Sequence, residues 1–150
     1  MHTQEERRAV NQEIVEEFRA NAGTVKRFPD TTIVLLHHVG AKTGAAYISP
    51  LAVLPQPDGT WVIQGANGGR DTHPAWYHNL QANPRTVIEL PGDGGVRTVQ
   101  VIARITHGAE RDRLADAVAA VSPLFRQFRD ATSRQIPVVV LEPVEASQPA

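Results

Sequence analysis

The chain has 150 residues, a length that suits one domain built around one hydrophobic core. Its 15 basic and 16 acidic side chains nearly balance, which gives no reason to expect nucleic acid as a partner, and the absence of cysteine excludes disulfides, thiolate metal sites and cysteine nucleophiles. Because the N-terminus is charged and no apolar run reaches the ~18 residues of a membrane span, we expect a cytoplasmic, single-domain protein over residues 1–150 with no integral membrane segment.

The first predicted element is an amphipathic helix over residues 4–21. Val10, Ile14 and Phe18 recur with a period of about 3.6 residues, and most other positions are charged. A polar face rich in glutamate favours a helix packed on the domain over a helix lying on a membrane surface. Residues 1–30 thus comprise the N-terminal helix and the loop that follows it.

The remaining elements are mostly strands joined by short turns. β-Branched and apolar segments predict strands at residues 31–39, 45–55, 60–66, 85–90, 96–105 and 136–144. Helical spacing and proline positions predict helices at residues 73–84, 110–121 and 123–132. This order favours an antiparallel, barrel-like sheet with helices at its rim over repeated βαβ units. The tail 145–150 is expected to be loose.

The turn “VGAKTGAA” lies between the first two predicted strands. It is not a Walker A loop, because Lys42 and Thr43 precede Gly44 and a strand follows. Its glycines would let backbone N–H groups approach a ligand, and its lysine would add a positive charge. The residues alone leave two interpretations open: a phosphate cradle, and a glycine-rich hairpin with a solvated lysine, which the spacing favours.

The stretch “GANGGRDTHPAW” leaves a strand and enters a helix. Free N–H groups at such a point favour anions or ligand carbonyls. Asp71 or Thr72 could instead cap the helix without any ligand. Trp76 and Tyr77, on its first turn, could face a planar cofactor, although aromatic rings more often fill cores.

Two further groups of side chains have competing interpretations. Phe125 and Phe128 would share one helix face, either packed in the core or covering a pocket for a flat, apolar substrate. The adjacent His37 and His38 would point to opposite faces of a strand. Without cysteine or an HExxH pattern, we expect no metal site.

Three stretches taken together resemble the deazaflavin-dependent nitroreductase family: “LLHHVGAKTGAAYISPL”, “GANGGRDTHPAWYHNLQANP” and “IPVVVLEPV”. The resemblance extends over about residues 10–144 in the same order, and “HPAWYHNLQANP” is its most specific part. It implies an α+β fold, a split β-barrel of mostly antiparallel strands with N-terminal, middle and C-terminal helices. It also implies coenzyme F420, an 8-hydroxy-5-deazaflavin, and an F420H2-dependent reductase that transfers hydride to an enone, lactone, quinone or nitroarene.

The resemblance also implies roles for individual residues. Cofactor binding is implied for Lys42, Thr43, Gly44, Tyr47, Ser49, Pro50, Ala66, Asn67, Gly68, Gly69 and Trp76. Substrate binding is implied for Ser122, Phe125 and Phe128, on a helix that would cover the substrate. No residue is identified as a catalytic acid. A backbone N–H group near Ala66, or the Ser122 hydroxyl, could donate to the developing oxygen anion.

The chain departs from the family pattern at the phosphate end of the site. The family often has arginine where this chain has Ala41 and Tyr47, so two charges are missing, and Arg70 could supply one. Relatives also carry tyrosine at the positions of Ser122, Phe125 and Phe128, so the pocket is less polar here.

Two other functions remain open beside a reductase acting on a small molecule. One is a non-catalytic deazaflavin carrier or sensor. The other is a split-barrel oxidoreductase that uses flavin mononucleotide, although its phosphate would call for more arginine around the “GAKTG” turn. A homodimer is compatible with the resemblance, since split barrels often dimerise.

Overall fold

The computed structural model describes residues 3–144. Its helices are α1 Gln4–Ala20, α2 Ala75–Ala82, α3 Gly108–Val121 and α4 Pro123–Ala131. Its strands are β1 Ile33–Val39, β2 Ala46–Ala52, β3 Leu54–Pro55, β4 Trp61–Gln64, β5 Arg85–Leu90, β6 Arg97–Ile105 and β7 Val138–Pro143. The predicted segment 45–55 is divided into β2 and β3, and the predicted loose tail lies outside the described residues. The single-domain organisation over 1–150 stays a prediction.

The strands form one antiparallel sheet in the order β2-β1-β5-β6-β7-β4-β3, which confirms the predicted antiparallel topology. The sheet is curled, because Val53 and Ile63 near one edge pack in the same core cluster as Val34 and Ile88. The edge strands β2 and β3 are not paired with each other. The result is a half-barrel in which β2 and β3, joined through Val53, form no ladder with each other, as the split-barrel expectation required.

Helix α1 packs on the outer face of this sheet. The Thr3 hydroxyl accepts from the Glu6 N–H, and the Glu6 carboxylate accepts from the Thr3 N–H, which forms a capping box at its start. Ile14 and Phe18 are buried against Leu35 of β1, so the apolar stripe seen in the sequence is a packing surface. Among residues 3–144, no helix has the length and apolar character needed to cross a bilayer.

Glu89 of β5 is a nearly buried carboxylate that joins α1 to the sheet. Arg19 of α1 donates two hydrogen bonds to it, at 3.0 Å from Nε and 2.7 Å from Nη2. His37 Nε2 lies 2.6 Å from the same carboxylate. The hydrogen bonds from Arg19, with a smaller contribution from His37, hold the pKa of Glu89 below its ordinary value of 4.5. His37 therefore faces α1, and His38 faces the opposite side of β1, as predicted.

Replacing Glu89 by Gln should lower the free energy of unfolding by about 2 kcal/mol near neutral pH, because Arg19 loses its charged partner. The loss is limited because about half of the Arg19 side chain is exposed to water. The folded-state pKa of Glu89 is lowered, so its contribution is present above 4.5 and is lost as the pH falls through the lower folded value. The difference between wild type and Glu89→Gln in urea unfolding should therefore shrink in acid.

The matched control is Glu142→Gln, which breaks the exposed Arg104–Glu142 pair of 3.2 Å. This variant should lose less than about 1 kcal/mol. Equal losses in the two variants would contradict a special role for the buried carboxylate.

Candidate functional site

A cavity of about 830 Å³ lies beside the edge strands β2 and β3 of the half-barrel. Both edge strands contribute to its wall, with Ser49 to Ala52 from β2 and Leu54 and Pro55 from β3. Helix α1 lines one side, and the junction of α3 and α4 lines another. Its volume is within the range of small-molecule and cofactor sites.

Most of the sequence-predicted site residues meet at this cavity. Those that line it are Ser49, Pro50, Ala66, Asn67, Gly68, Trp76, Ser122, Phe125 and Phe128. The others lie outside its lining: Lys42, Thr43, Gly44 and Tyr47 belong to the β1–β2 hairpin, and Gly69 faces α4. The structure therefore brings the two glycine-containing stretches to one end of the sheet, but only the second borders the cavity.

The β1–β2 turn is a regular hairpin with internal hydrogen bonds. The Gly40 N–H donates to the Ala45 carbonyl at 2.8 Å, and the Ala45 N–H donates to the Thr43 hydroxyl at 3.2 Å. Gly44 adopts a left-handed φ of 73°, which explains the glycine at that position. Lys42 is exposed. These contacts explain the turn without a ligand, and the phosphate role of Lys42 stays a prediction.

The loop 65–70 borders the cavity and has an unusual backbone. Its residues Asn67–Gly69 form a 3₁₀ turn, with φ of 67° at Gly68 and 82° at Gly69. A Cβ atom at Gly69 would lie 3.0 Å from the Ala131 Cβ, so glycine also permits the close approach of α4. The Ala66 N–H already donates to the Gln64 side chain at 2.8 Å. Among the backbone N–H groups near Ala66, that of Ala66 itself is therefore occupied within the protein.

Arg134, in the connection between α4 and β7, holds this loop in place. Its guanidinium donates to the carbonyls of Gly65, Ala66 and Arg70, over 2.8–2.9 Å. Its third nitrogen lies 2.8 Å from His73 Nδ1, and burial, followed by the charge of Arg134, lowers the pKa of His73. A neutral His73 accepts this bond. Nothing local in the sequence signals Arg134, because its partners lie more than sixty residues away.

The structure at the start of α2 contradicts the suggestion that Asp71 or Thr72 caps this helix. Neither Asp71 nor Thr72 caps the helix: Pro74 is the N-cap residue, and it makes no side-chain capping bond. The Asp71 carboxylate instead accepts from the Thr132 hydroxyl at 3.0 Å, and the Thr72 carbonyl accepts from the Asn67 amide at 3.0 Å. Both residues therefore stabilise the loop 65–70 and its contact with the end of α4.

The aromatic candidates serve the core and the cavity together. Trp76 is 6% exposed and belongs to the main core cluster, yet it also lines the cavity. Phe125 is 1% exposed and packs in a second cluster, with Phe128 partly buried beside it. The Ser122 hydroxyl accepts from the Phe125 N–H at 3.1 Å and caps α4. Packing in the core and lining the cavity, the two alternatives considered from the sequence, therefore occur together in these aromatic residues.

Several cavity residues were missed from the sequence. Arg7 lies on the charged face of α1, where nothing distinguishes it from its neighbours. Val121 and Leu124 line the cavity with 66% and 49% of their surfaces exposed, so the cavity has an apolar, solvent-facing side. Arg70, the candidate replacement charge, does line the cavity, and its Nη1 donates to the Asn67 carbonyl at 2.9 Å.

A buried hydrogen-bond chain ends at the cavity wall. The Ala41 N–H lies 3.0 Å from Asn79 Oδ1, Asn79 Nδ2 lies 2.9 Å from His38 Nδ1, and His38 Nε2 lies 2.8 Å from Ser49 Oγ. Burial, with a smaller effect from the neighbouring His37, lowers the pKa of His38 to about 4. The ring is therefore neutral near neutral pH.

Comparison with known proteins gives one consistent result. The family described as F420H(2)-dependent quinone reductase matches residues 10–143. An F420H(2)-dependent quinone reductase of Mycobacterium tuberculosis is 36% identical over 110 residues, which cover 72% of this chain and 71% of that protein. A solved F420-H2 dependent reductase, FDR-A, is 33% identical with a TM-score of 0.60, over 73% of this chain and 93% of that one. A solved domain-swapped dimer is 26% identical, with a TM-score of 0.61 over 91% and 98%.

Replacing Arg134 by Lys should loosen the loop 65–70 without unfolding the protein. A lysine ammonium cannot bind three carbonyls and a ring nitrogen with the geometry of a guanidinium. The amides of Gly69 and Arg70, both hydrogen-bonded within the loop, should exchange with deuterium about tenfold faster or more. In the control Arg129→Lys, which alters a surface pair with Asp116 at 3.4 Å, their exchange should not change. Equal exchange in both variants would exclude this role for Arg134.

Proposed function

Because this chain belongs to the F420H(2)-dependent quinone reductase family, it is a reductase that uses coenzyme F420, and we propose that its substrate is a small quinone or a related electron-poor molecule. Enones, lactones and nitroarenes share the same electron-poor character and are the other candidate substrates. The observation that carries the proposal is the cavity beside the edge strands β2 and β3 of the half-barrel, which is lined by most of the residues that the sequence assigned to cofactor and substrate.

The residues present fit a deazaflavin cofactor. A flat ring with polar edges needs apolar walls with a few hydrogen-bonding groups, and the cavity provides Trp76 and Pro50 beside Ser49 and the backbone of Asn67 and Gly68. A negatively charged phosphate needs a cation or free N–H groups, and Arg70 is a cation at the cavity wall. When bound and reduced, the cofactor supplies the hydride.

Two regions are candidates for the phosphate end of the cofactor. Arg70 lies at the cavity, whereas Lys42 lies in the β1–β2 turn, about 10 Å farther along β2 from Ser49 at the usual rise per strand residue. We propose that Lys42, Thr43 and Gly44 bind a phosphate-bearing tail that extends out of the cavity. Tyr47, which stacks on His38 with ring centroids 5.5 Å apart, lies between the turn and Ser49.

The substrate side is proposed to be the junction of α3 and α4. Val121 and Leu124 present apolar surface to solvent, and Phe128 lies on the same wall. Such a surface would take a flat, apolar molecule and exclude water from the place of hydride transfer. Phe125 is too buried to offer its ring to a substrate, so its role would be to fix α4.

The protein would assist hydride transfer by orientation and by hydrogen bonding. Of the donors considered from the sequence, which were the backbone N–H groups near Ala66 and the Ser122 hydroxyl, the Ala66 N–H itself is occupied by Gln64. The Ser122 hydroxyl oxygen accepts from the Phe125 N–H, which leaves its hydrogen available for a developing oxygen anion on the substrate. Nothing in the cavity requires a charged general acid, and solvent would supply the final proton.

Two broader expectations remain proposals. We propose a homodimer, since a solved protein that resembles this chain over most of its length is a domain-swapped dimer. The cytoplasmic location is an expectation from the sequence alone.

The reductase proposal is tested by titrating the purified protein with oxidised F420 and, separately, with flavin mononucleotide. We expect saturable F420 binding with a Kd in the micromolar range, corresponding to about −8 kcal/mol, and weaker binding of the flavin. Adding a quinone to the protein loaded with F420H2 should oxidise the cofactor. Binding without substrate-dependent oxidation for quinones, enones and nitroarenes would indicate a carrier, and preferential flavin binding would overturn the cofactor assignment.

The phosphate site is tested with Lys42→Ala and Arg70→Ala. Loss of a charge-assisted bond to phosphate should raise the Kd for F420 about tenfold or more, while turnover at saturating cofactor changes little. Lys26→Ala is the matched control, because Lys26 is exposed and lies outside the cavity lining. A large loss of turnover with unchanged F420 binding would refute the phosphate role of either residue.

A further inference from the structure

We propose that Ser49 donates its hydroxyl hydrogen to a carbonyl oxygen of a ligand in the cavity, and that Asn79 and His38 are positioning residues that hold Ser49 as a donor. The inference rests on the proposed function and deepens it. The carbonyl would belong either to the dione part of the deazaflavin ring or to the quinone substrate. Both sources present the same chemistry, and the binding experiment below separates them.

The first step is the orientation of the Asn79 side chain. The Ala41 N–H lies 3.0 Å from one side-chain atom of Asn79. A backbone N–H can only donate, so this atom must be the amide oxygen. The other side-chain atom, 2.9 Å from His38 Nδ1, is then the amide nitrogen, which can only donate. The Ala41 N–H group in the β1–β2 turn thus fixes the direction of the hydrogen bonds that run through Asn79.

The second step is the tautomer of His38. Its Nδ1 faces the NH2 group of Asn79, so Nδ1 must accept and carries no hydrogen. The ring is 6% exposed, and burial keeps it neutral near neutral pH. The single ring hydrogen of the neutral form is then on Nε2, which lies 2.8 Å from Ser49 Oγ. His38 donates, and the Ser49 oxygen accepts.

The third step concerns the hydroxyl hydrogen of Ser49. Because its oxygen accepts from His38, this hydrogen must find another acceptor. Among residues 3–144, Ser49 Oγ has no second protein partner. Ser49 lies on the edge strand β2 and lines the cavity, so an acceptor there would be a ligand atom.

With the opposite tautomer of His38, Ser49 would offer a ligand an acceptor instead of a donor. A hydrogen on Nδ1 would oppose the NH2 group of Asn79, donor against donor, at a buried position where an unsatisfied group is costly. Ser49 would then donate to Nε2, and only its lone pairs would face the cavity. The arrangement seen here favours ligand carbonyls over ligand N–H groups at this position.

The tautomer can be measured without any ligand. In ¹⁵N-labelled wild-type protein near neutral pH, His38 should show a pyrrole-like Nε2 that carries the hydrogen and a pyridine-like Nδ1. The reverse pattern, or a cationic ring with two pyrrole-like nitrogens, would overturn the proposed roles of Asn79 and His38.

The donor role is tested with Ser49→Ala. Loss of one hydrogen bond to a ligand should raise either the Kd for F420 or the KM for the quinone about tenfold, and the constant that changes identifies the source of the carbonyl. Thr98→Ala is the control, since Thr98 is an exposed strand hydroxyl outside the cavity lining. If both constants stay within about twofold of wild type, Ser49 is not a donor to either ligand.

A double-mutant cycle tests whether His38 acts through Ser49. In a His38→Leu background, confirmed as folded by its thermal unfolding, the effect of Ser49→Ala should fall to about threefold or less. An undiminished effect would show that Ser49 needs no positioning by His38. A wild-type protein that binds no F420 would overturn the proposed function, whereas the ring nitrogen shifts would still decide the tautomer.

Discussion

The constraint on which the rest of the structure depends is that the antiparallel sheet curls without closing. Edge strands β2 and β3 are joined through Val53 but are not paired with each other, and the cavity lies beside them. Side chains such as Leu36, Ile63 and Leu141 fill the inside of the curl. The cavity walls combine these two edge strands with α1, the α3–α4 junction and the loop 65–70, so several elements together would position a cofactor there.

Two side-chain systems, one around the nearly buried Glu89 and one around the partly buried Arg134, join the sheet to the elements packed on it. Glu89 ties α1 to the sheet through Arg19, and Arg134 ties the loop 65–70 to the start of β7. His37 and His38 leave β1 in opposite directions, so their rings take part in separate hydrogen-bond systems on the two faces of the strand. The His37 ring contacts the Glu89 carboxylate, and the His38 ring contacts Ser49, which lines the cavity.

The sequence predicted the features that depend on residues close together in the chain. It missed the features that depend on contacts between residues far apart in the chain. Strands, helices and the glycine loop follow from residue type and periodicity over short stretches. The family resemblance, and not periodicity, predicted Ala66 and Trp76 as site residues, and both line the cavity. Arg134 was missed because its partners are distant in sequence. The link from Asn79 through His38 was missed because it depends on which residue of β1 lies beside β2 and α2. The Asp71 and Thr72 caps were plausible locally, but tertiary contacts with Thr132 and Asn67 use these groups.

The neutrality of His38 fits the transfer of a hydride. A cationic histidine beside the cavity would stabilise an oxygen anion more strongly, but burial disfavours that charge, and His38 has a pKa of about 4 for this reason. A chain of neutral donors that starts at the backbone of Ala41 avoids that cost, and its members polarise one another. Its direction does not change with protonation near neutral pH. The site therefore offers a preorganised dipole in place of a titrating acid, and the hydride donor has to come from the cofactor.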